Sequence, residues 1–207
     1  AGTNNTYLFA DGIHPSGAAH RLLADVVVAT IAAPSVVALA PEVPLKAYFE
    51  HSRAVDESLL SLWGDELEAG SVRAYGSIQG GNQDIQGDAY SPCLDSNYSS
   101  LSLGANYRMS DAFTFGAAIS VGTQDADTGS IGRIEGVSVI GSIYGQYQNN
   151  GLYVRGMLGG GSTSLDITRN IQIGPLLRQE IGKPGVSQQA VSAEVGYMFE
   201  GDSLQHG

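Results

Sequence analysis

The strongest constraint on the fold is a change in hydrophobic period that occurs after Gly70. In segments 101–107 and 113–121, apolar residues occupy alternate positions, and polar or small residues lie between them. This two-residue period is typical of β-strands with one apolar and one polar face. It predicts that the chain after Gly70 is mainly β. We predict six or seven strands, over residues 72–79, 100–108, 113–121, 137–148, 152–161, 189–199 and a weaker segment, 165–173.

The connections between these strands are of two kinds. Residues 110–112 and 149–151 predict tight turns, and the second contains the Asn-Gly pair that hairpins favour. Long polar loops, rich in glycine, are predicted at 80–97, 124–135 and 174–188. Short turns at one end and long loops at the other are typical of outer-membrane β-barrels, with lipid outside and water inside. Aromatic residues near strand ends would form its interfacial girdle: Tyr107, Tyr147, Tyr153, Tyr197 and Phe199.

A soluble antiparallel barrel or sandwich is the alternative, because its strands also alternate. The predicted strands exceed the usual length of about five or six residues in soluble sheets, which favours the membrane barrel. Charged residues are also only 15% of the chain, below the roughly one quarter usual in soluble domains. The net charge of −11 argues against nucleic-acid binding, because no basic surface is available to neutralise phosphates.

Two helices are predicted before the strands. Apolar residues recur every three or four positions over 15–33, and Pro34 should end that helix. Residues 35–44 contain further prolines and predict a linker. A second helix is predicted over 45–68, ending before Gly70, and its polar residues would suit either a core surface or a polar tube. The interrupted apolar run 26–40 is predicted to be too short to cross a membrane.

One short segment carries candidate chemistry. Asp11 and His14 are separated by two residues on a Gly-containing turn that leads into the first helix, so both side chains can face one site. A serine hydrolase needs a histidine to take the serine proton and an acid to orient that histidine. The alternative is an ordinary loop at a helix start, because Pro15 suits a first helical position and Ser16 suits a cap.

Residues 7–16, Tyr-Leu-Phe-Ala-Asp-Gly-Ile-His-Pro-Ser, resemble the final conserved block of the GDSL (SGNH) esterases and lipases. In that family a D-x-x-H-P segment supplies the acid and base of the catalytic triad. The resemblance implies that Asp11 is the acid and His14 the general base. It also implies that the nucleophilic serine and the oxyanion-hole residues lie upstream of Ala1.

The order of parts resembles a GDSL-type autotransporter esterase, in which a helix through the barrel lumen tethers a surface-exposed passenger. Segments 104–108, 144–148 and 196–199 are similar to strands of its β-domain. The resemblance implies the end of the passenger at 1–34, a linker and lumen helix at 35–70, and an incomplete barrel at 71–207. We therefore expect an internal fragment, inactive alone, of a bacterial outer-membrane protein. Its expected partners are outer-membrane lipid, an ester or lipid substrate and the barrel-assembly machinery.

Residues 201–204 spell Gly-Asp-Ser-Leu, the nucleophile motif that names the esterase family. A catalytic Ser203 would require a permuted order with no oxyanion block between it and His14, so we interpret 200–207 as a polar loop after a strand. Three hypotheses remain: an autotransporter esterase fragment, a non-enzymatic export module, and a small soluble hydrolase that uses Ser203. No metal or cofactor is expected. Cys93 is the single cysteine, and the other three histidines have no metal-ligand spacing: His20, His51 and His206.

Overall fold

The computed structural model describes residues 7–63, 68–88 and 92–197. In those residues two helices precede seven β-strands. The helices are α1 (Gly17–Leu39) and α2 (Glu42–Leu60). The strands are β1 (Val72–Ile85), β2 (Leu94–Arg108), β3 (Phe113–Asp127), β4 (Gly132–Asn149), β5 (Leu152–Ile173), β6 (Leu176–Gly182) and β7 (Gly185–Tyr197), with a 3-10 turn at Gly129–Ile131.

All strands form one antiparallel sheet, in which the strands from β1 to β6 each pair with the next strand in sequence. Both β6 and β7 pair with β5, and they share one register, since Gly182 lies opposite Ile167 and Gly185 opposite Ser164. The break between them coincides with Pro184, which has no N–H to donate to the ladder. The segment 176–197 is therefore one long strand partner of β5, and the sheet is open at β1 and β7 within the described residues.

The two faces of the sheet are opposite in character to those of a soluble sheet. The exposed outer face carries large apolar side chains, among them Leu101, Leu103, Phe115, Ile119, Val121, Val139 and Ile143. The inner face buries polar side chains, among them Ser102, Asn106, Ser120, Gln124, Ser138, Ser142 and Gln146. This confirms the predicted alternation, and helix α2 packs against the inner face.

The two predicted tight turns are confirmed and define one end of the sheet, here called the turn end. Asn150 and Gly151 have φ angles of 48° and 81°, as a type I′ hairpin turn requires. In the other turn, Met109 N–H donates to the Phe113 carbonyl oxygen at 2.9 Å, and Phe113 N–H donates to Ser110 Oγ at 3.1 Å. The opposite end of the sheet is called the loop end.

The prediction of long loops was wrong. Strands β1 and β2 remain paired from Val72 and Tyr107 as far as Ile85 and Leu94, and β3 and β4 remain paired to Asp127 and Arg133. The segment 174–188 is mostly strand, and the predicted strands 152–161 and 165–173 are one strand, β5. Glycine and polar residues lower the strand signal in sequence, but backbone pairing with neighbouring strands overrides that local preference.

The predicted helix boundaries also need correction. Helix α1 continues through Pro34 to Leu39, so residues 35–39 are helical rather than a linker. An internal proline costs a helix about 3 kcal/mol, and the burial of Val36 and Leu39 against the sheet offsets that cost. Helix α2 starts at Glu42 and ends at Leu60, and residues 64–67 of the prediction lie outside the described residues.

By length and hydropathy alone, the helical stretch Gly17–Leu60 could cross a membrane, with a mean hydropathy of 2.2 in its most apolar window. This test weighs length and composition only, and 12% of that window is buried. That the interrupted run 26–40 is too short to cross a membrane stays a prediction. Helix α2 itself packs against the inner face of the sheet.

The space between α2 and the sheet contains two apolar clusters, which the predicted water-filled interior did not include. The loop-end cluster combines helix residues Val36, Leu39, Ala40 and Val43 with strand residues Leu94, Ala126, Ile134, Leu165 and Ile167. The turn-end cluster combines Val55, Leu59 and Leu62 with Ala118, Tyr144 and Met157. Helix α2 thus runs along the inner face of the sheet from the loop end to the turn end.

Candidate functional site

The predicted catalytic segment forms a closed loop just before α1. Phe9 and Pro15 form an isolated antiparallel bridge. Ala10 N–H donates to the His14 carbonyl oxygen at 2.8 Å, and Ser16 N–H donates to the Leu8 carbonyl oxygen at 3.0 Å. These bonds bring the two ends of the loop together and leave residues 11–14 at its tip.

Asp11 and His14 are in direct contact at this tip. One carboxylate oxygen, Asp11 Oδ1, accepts hydrogen bonds from the backbone N–H groups of Ile13 at 2.9 Å and His14 at 2.7 Å. The other oxygen, Asp11 Oδ2, lies 2.7 Å from His14 Nδ1. The structure therefore brings together the two residues that the sequence singled out, with the acid positioned to orient the imidazole ring.

The same bonds favour the charged form of Asp11. The backbone N–H groups of His14 and Ile13 and the His14 side chain all lower the pKa of Asp11 below its ordinary value. Asp11 is therefore held as the carboxylate, the form that accepts a hydrogen bond from His14 Nδ1–H. The two side chains are 59% and 76% exposed, so incoming molecules can reach them.

Ser16 anchors the loop to α1. Its buried Oγ accepts a hydrogen bond from Ala19 N–H at 3.2 Å, which satisfies one of the free donors at the helix N-terminus. The helix-start interpretation of Ser16 is thus correct, but it does not account for the Asp11–His14 contact. His20 Nδ1 lies 3.0 Å from the Ser16 carbonyl oxygen and has no contact with that pair. Ser203, His206 and Phe199 lie outside the described residues.

A second polar site lies between α2 and the inner face of the sheet. His51 is completely buried, and both of its ring nitrogens contact serine hydroxyls on neighbouring strands. Its Nδ1 lies 2.6 Å from Ser120 Oγ on β3, and its Nε2 lies 2.7 Å from Ser142 Oγ on β4. Ser120 Oγ is also 2.6 Å from Ser102 Oγ on β2. The ring therefore links the helix to three adjacent strands.

Charged groups flank His51 along α2. Glu50, which is 5% exposed, pairs with Lys46 Nζ at 2.7 Å. The amide nitrogen of Gln79, in its hydrogen-bonded orientation, donates to Glu50 Oε2 at 2.8 Å. Lys46 Nζ also lies 4.0 Å from the centre of the Tyr98 ring, which is cation–π geometry. The buried carboxylate of Glu50 thus has both a cation and a hydrogen-bond donor.

Nearer the turn end, polar contacts again connect α2 to the sheet. Asp56 pairs with Arg155 of β5 at 3.0 Å, and Arg155 pairs with Glu194 of β7 at 2.8 Å. Tyr144 Oη donates to Asn106 Oδ1 at 2.8 Å, close to Ser58 of α2. The helix is therefore fixed along its length by polar groups between two apolar clusters.

Sequence analysis gave His51 no role and missed this polar contact surface of α2. The only available signal was that polar and charged residues, Lys46, Glu50, His51 and Ser58, lie among apolar ones without a separate solvent face. Their partners on the strands are at least 29 residues away in sequence, as Gln79 is from Glu50. Among the described residues, no group of histidine, cysteine, aspartate and glutamate side chains could hold a metal ion.

A family model described as the autotransporter β-domain matches residues 74–206, more than half of the chain. The chain belongs to the autotransporter β-domain family. Proteins of this family lie in the outer membrane and export a passenger to the cell surface. The β-strands of this autotransporter therefore form part of an outer-membrane barrel, with the apolar outer face toward lipid, and the predicted localisation is confirmed.

Known relatives extend the match to the helical segment. The chain is 29% identical over 204 residues to Esterase EstA of Pseudomonas aeruginosa and, equally, to Esterase EstA of Pseudomonas putida, covering 92% of this chain and 30% of each esterase. It is 25% identical over 203 residues to an uncharacterized Pseudomonas putida protein from the trpE-trpG intergenic region, covering 95% of this chain and 33% of that protein. The autotransporter chain thus spans about a third of the length of the curated relatives it matches.

Among solved structures, the translocator domain of autotransporter NalP from Neisseria meningitidis matches 75% of this chain and 68% of its own. The sequence identity is 15% and the TM-score is 0.32. The fold is shown instead by the family match and by the strand register. Together these confirm the predicted outer-membrane anchor and export role.

Proposed function

We propose that this autotransporter is part of an esterase that hydrolyses carboxylic esters with a Ser-His-Asp triad of the GDSL type. The observation that supports the proposal most strongly is the 2.7 Å contact between Asp11 Oδ2 and His14 Nδ1 in an exposed loop. An acid and a base in contact at an accessible surface are two of the three groups that acyl transfer by serine requires. The third, a nucleophilic serine, is proposed to precede Ala1 in the full protein.

In this mechanism the serine hydroxyl attacks the ester carbonyl carbon while His14 Nε2 takes the hydroxyl proton. His14 then returns the proton to the leaving alcohol, and the acyl-enzyme is hydrolysed by water that His14 activates in the same way. Asp11 accepts the hydrogen bond from His14 Nδ1–H and stabilises the imidazolium that forms. Asp11 is ionised at neutral pH, and the hydrogen bonds that lower its pKa keep it ionised as the solution becomes more acidic.

The similarity to two proteins named Esterase EstA over 92% of this chain supports this proposal. We propose the same division as the sequence predicted: passenger end 1–34, linker and lumen helix 35–70, and barrel 71–207. Helix α1 has a further exposed apolar surface, which includes Leu23, Val27 and Ile31. The upstream part of a passenger would cover it.

The proposed partners follow from the surfaces of the barrel. Outer-membrane lipid would contact the exposed apolar rows of the strands. The ester or lipid substrate would bind at the passenger, and the barrel-assembly machinery would insert the strands. Nucleic acid is not proposed as a partner, because the net charge of −11 would repel phosphates.

A fluorophosphonate probe tests the proposal, because it labels only an activated serine. We expect the full-length protein to be labelled, the label to be lost in His14→Ala, and the label to persist in the matched control Ser203→Ala. Labelling that disappears in Ser203→Ala would instead support the permuted hydrolase.

The second candidate is a non-enzymatic anchor and export module. It is favoured by the polar and apolar contacts that fix α2 against the inner face of the sheet, since these serve anchoring whether or not the passenger is an enzyme. It predicts no probe labelling of the full-length protein and unchanged surface display in His14→Ala. The probe experiment therefore separates all three hypotheses.

A further inference from the structure

Helix α1 is mostly exposed, but its last turns are buried at the loop end and its middle also contacts the sheet. Four residues of α1 that contact β5 or its hairpin turn lie three, eleven and three residues apart, as expected for one helical face. They are Leu22, Asp25, Val36 and Leu39. Strand β5 makes more contacts with α1 than any other strand does. The helix therefore rests on one particular strand rather than on the barrel rim in general.

Strand β5 continues beyond its neighbour β4. The first residue of β4, Gly132, lies opposite Arg169, so residues 170–179 pair only within the β5–β6 hairpin. Contacts at its base brace this projecting hairpin. Arg169 pairs with Glu180 at 2.7 Å, and Asn170 Nδ2 donates to the Ser130 carbonyl oxygen at 3.2 Å.

The turn of the hairpin holds the middle of α1. Gly174 N–H donates to Asp25 Oδ2 at 2.8 Å in a partly buried position, and the Leu22 side chain lies directly over Gly174. Gly174 has a φ of +56°, which glycine adopts readily, and a side chain there would collide with Leu22. Two separate properties of this position therefore favour glycine.

The base of the same hairpin holds the end of α1. Val36 and Leu39 are buried in the loop-end cluster together with Leu165 and Ile167 of β5. At 1.5 Å per residue, Asp25 and Leu39 are about 20 Å apart along the helix axis. Contacts at two points this far apart fix the direction of a helix, whereas a single contact would leave it free to swing.

We infer that the projecting β5–β6 hairpin is a docking surface for α1, and that it holds the exported domain at a fixed orientation to the barrel. The partner is the terminal helix of the same chain's passenger, recognised by the Asp25–Gly174 bond and by the aliphatic contacts on either side. The inference rests on the proposed division, in which α1 belongs to the end of the passenger, and it holds whether or not the passenger is an esterase.

Distance measurements between spin labels on α1 and on the barrel would test this inference. The full-length protein, in a background with Cys93→Ser and any other cysteine replaced, would be labelled at Thr30→Cys on α1 and at Asp111→Cys in the turn end. We expect one narrow distance peak. Asp25→Ala, Gly174→Val and replacement of residues 170–179 by Asn-Gly should each lose that peak and give a broad distribution.

Arg21→Ala is the matched control, because Arg21 lies one turn before Asp25 and its Nε donates only to the Gly17 carbonyl oxygen, at 3.4 Å. It should leave the narrow peak unchanged. Heat-modifiable migration in gels would show for each variant that the barrel is folded. A broad distribution in the parent protein, or a narrow one that survives in both Asp25→Ala and the shortened hairpin, would overturn the inference.

Discussion

His14 and His51 show how the surroundings of a histidine determine its role. His14 lies on an exposed loop, with a carboxylate 2.7 Å from Nδ1. His51 is completely buried in the lumen, and its two nitrogens contact the neutral hydroxyls of Ser120 and Ser142. The first arrangement allows a proton to be taken from an outside molecule and stabilises the resulting imidazolium. The second leaves no access and connects the helix to the wall.

A histidine that is hydrogen-bonded through both nitrogens, as His51 is, can serve packing rather than catalysis. The two roles differ in solvent access and in the charge of the partner. Changes at His14 should alter hydrolysis without altering the stability of the barrel. Changes at His51 should do the reverse.

The largest expected effect is on ester hydrolysis by the full-length protein. His14→Ala should lower kcat by about 10⁶-fold, because the serine would lose its general base. His51→Ala should leave kcat unchanged. Hydrolysis of a chromogenic ester by equal amounts of surface-displayed protein would measure both. A fully active His14→Ala would refute the role of His14 as general base.

Asp11→Asn should have the next largest effect, lowering kcat by about 10⁴-fold. A neutral amide cannot stabilise the imidazolium as a carboxylate does. Its oxygen can still accept the backbone hydrogen bonds from Ile13 and His14 that form the turn. The same assay measures it, with Asp111→Asn, in a turn at the far end of the sheet, as the control. Equal kcat in Asp11→Asn and the parent would show that the 2.7 Å contact is only structural.

His51 should affect the stability of the barrel rather than hydrolysis. His51→Ala should lower the free energy of unfolding by about 2–4 kcal/mol, because it leaves a cavity and two buried serine hydroxyls without their partner. His20→Ala, on the exposed part of α1, should change it by no more than about 0.5 kcal/mol. Denaturant unfolding of the purified protein in detergent would measure both. Equal midpoints would refute a stabilising role for His51.

A smaller loss is expected where aromatic rings lie over glycines of the neighbouring strand. A side chain at Gly116 would collide with the buried ring of Tyr144, so Gly116→Ala should cost about 1–3 kcal/mol. At Gly141 a Cβ would meet only the Ala118 carbonyl oxygen, at an ordinary 3.8 Å. Gly141→Ala is therefore the matched control in the same unfolding measurement, and similar losses in both variants would contradict the packing argument.

The smallest effect should come from an exposed ion pair on the outer face. Arg133, half exposed, pairs with Asp125 and with Glu135. Exposed pairs contribute about 0–1 kcal/mol, and salt screens them. Arg133→Ala should thus shift the unfolding midpoint only slightly, and less at high salt. A loss as large as that of His51→Ala would show that the Arg133 ion pairs contribute more to stability than exposed pairs usually do.

Much of the fold could be predicted because it depends on local pattern. The alternation in segments 101–107 and 113–121 and the Asn-Gly pair at 150–151 correspond to observed strands and a type I′ turn. The strand lengths and the end of α1 could not be predicted. The strand lengths depend on pairing between β1 and β2, although their glycines disfavour strands locally. The end of α1 depends on the burial of Val36, although Pro34 locally disfavours a helix there.

Of the candidate site, the sequence identified Asp11 and His14 because their spacing keeps them within one turn of chain. The structure added their contact and exposure, and their catalytic role stays a prediction. His51 was not identified as important because its partners, Ser120 and Ser142, are 69 and 91 residues away. Nothing in the local sequence around His51 indicates them.

Local sequence pattern is enough to predict which residues alternate, where tight turns form and which acid and base share a loop, since these follow from backbone periods of two and 3.6 residues and from short spacings. The surface of α2 that faces the sheet and the hairpin that supports α1 depend instead on long-range packing. Those contacts join residues that are distant in the chain. They exist only when the curvature and register of the sheet place Ser120, Ser142 and Gly174 opposite the helices.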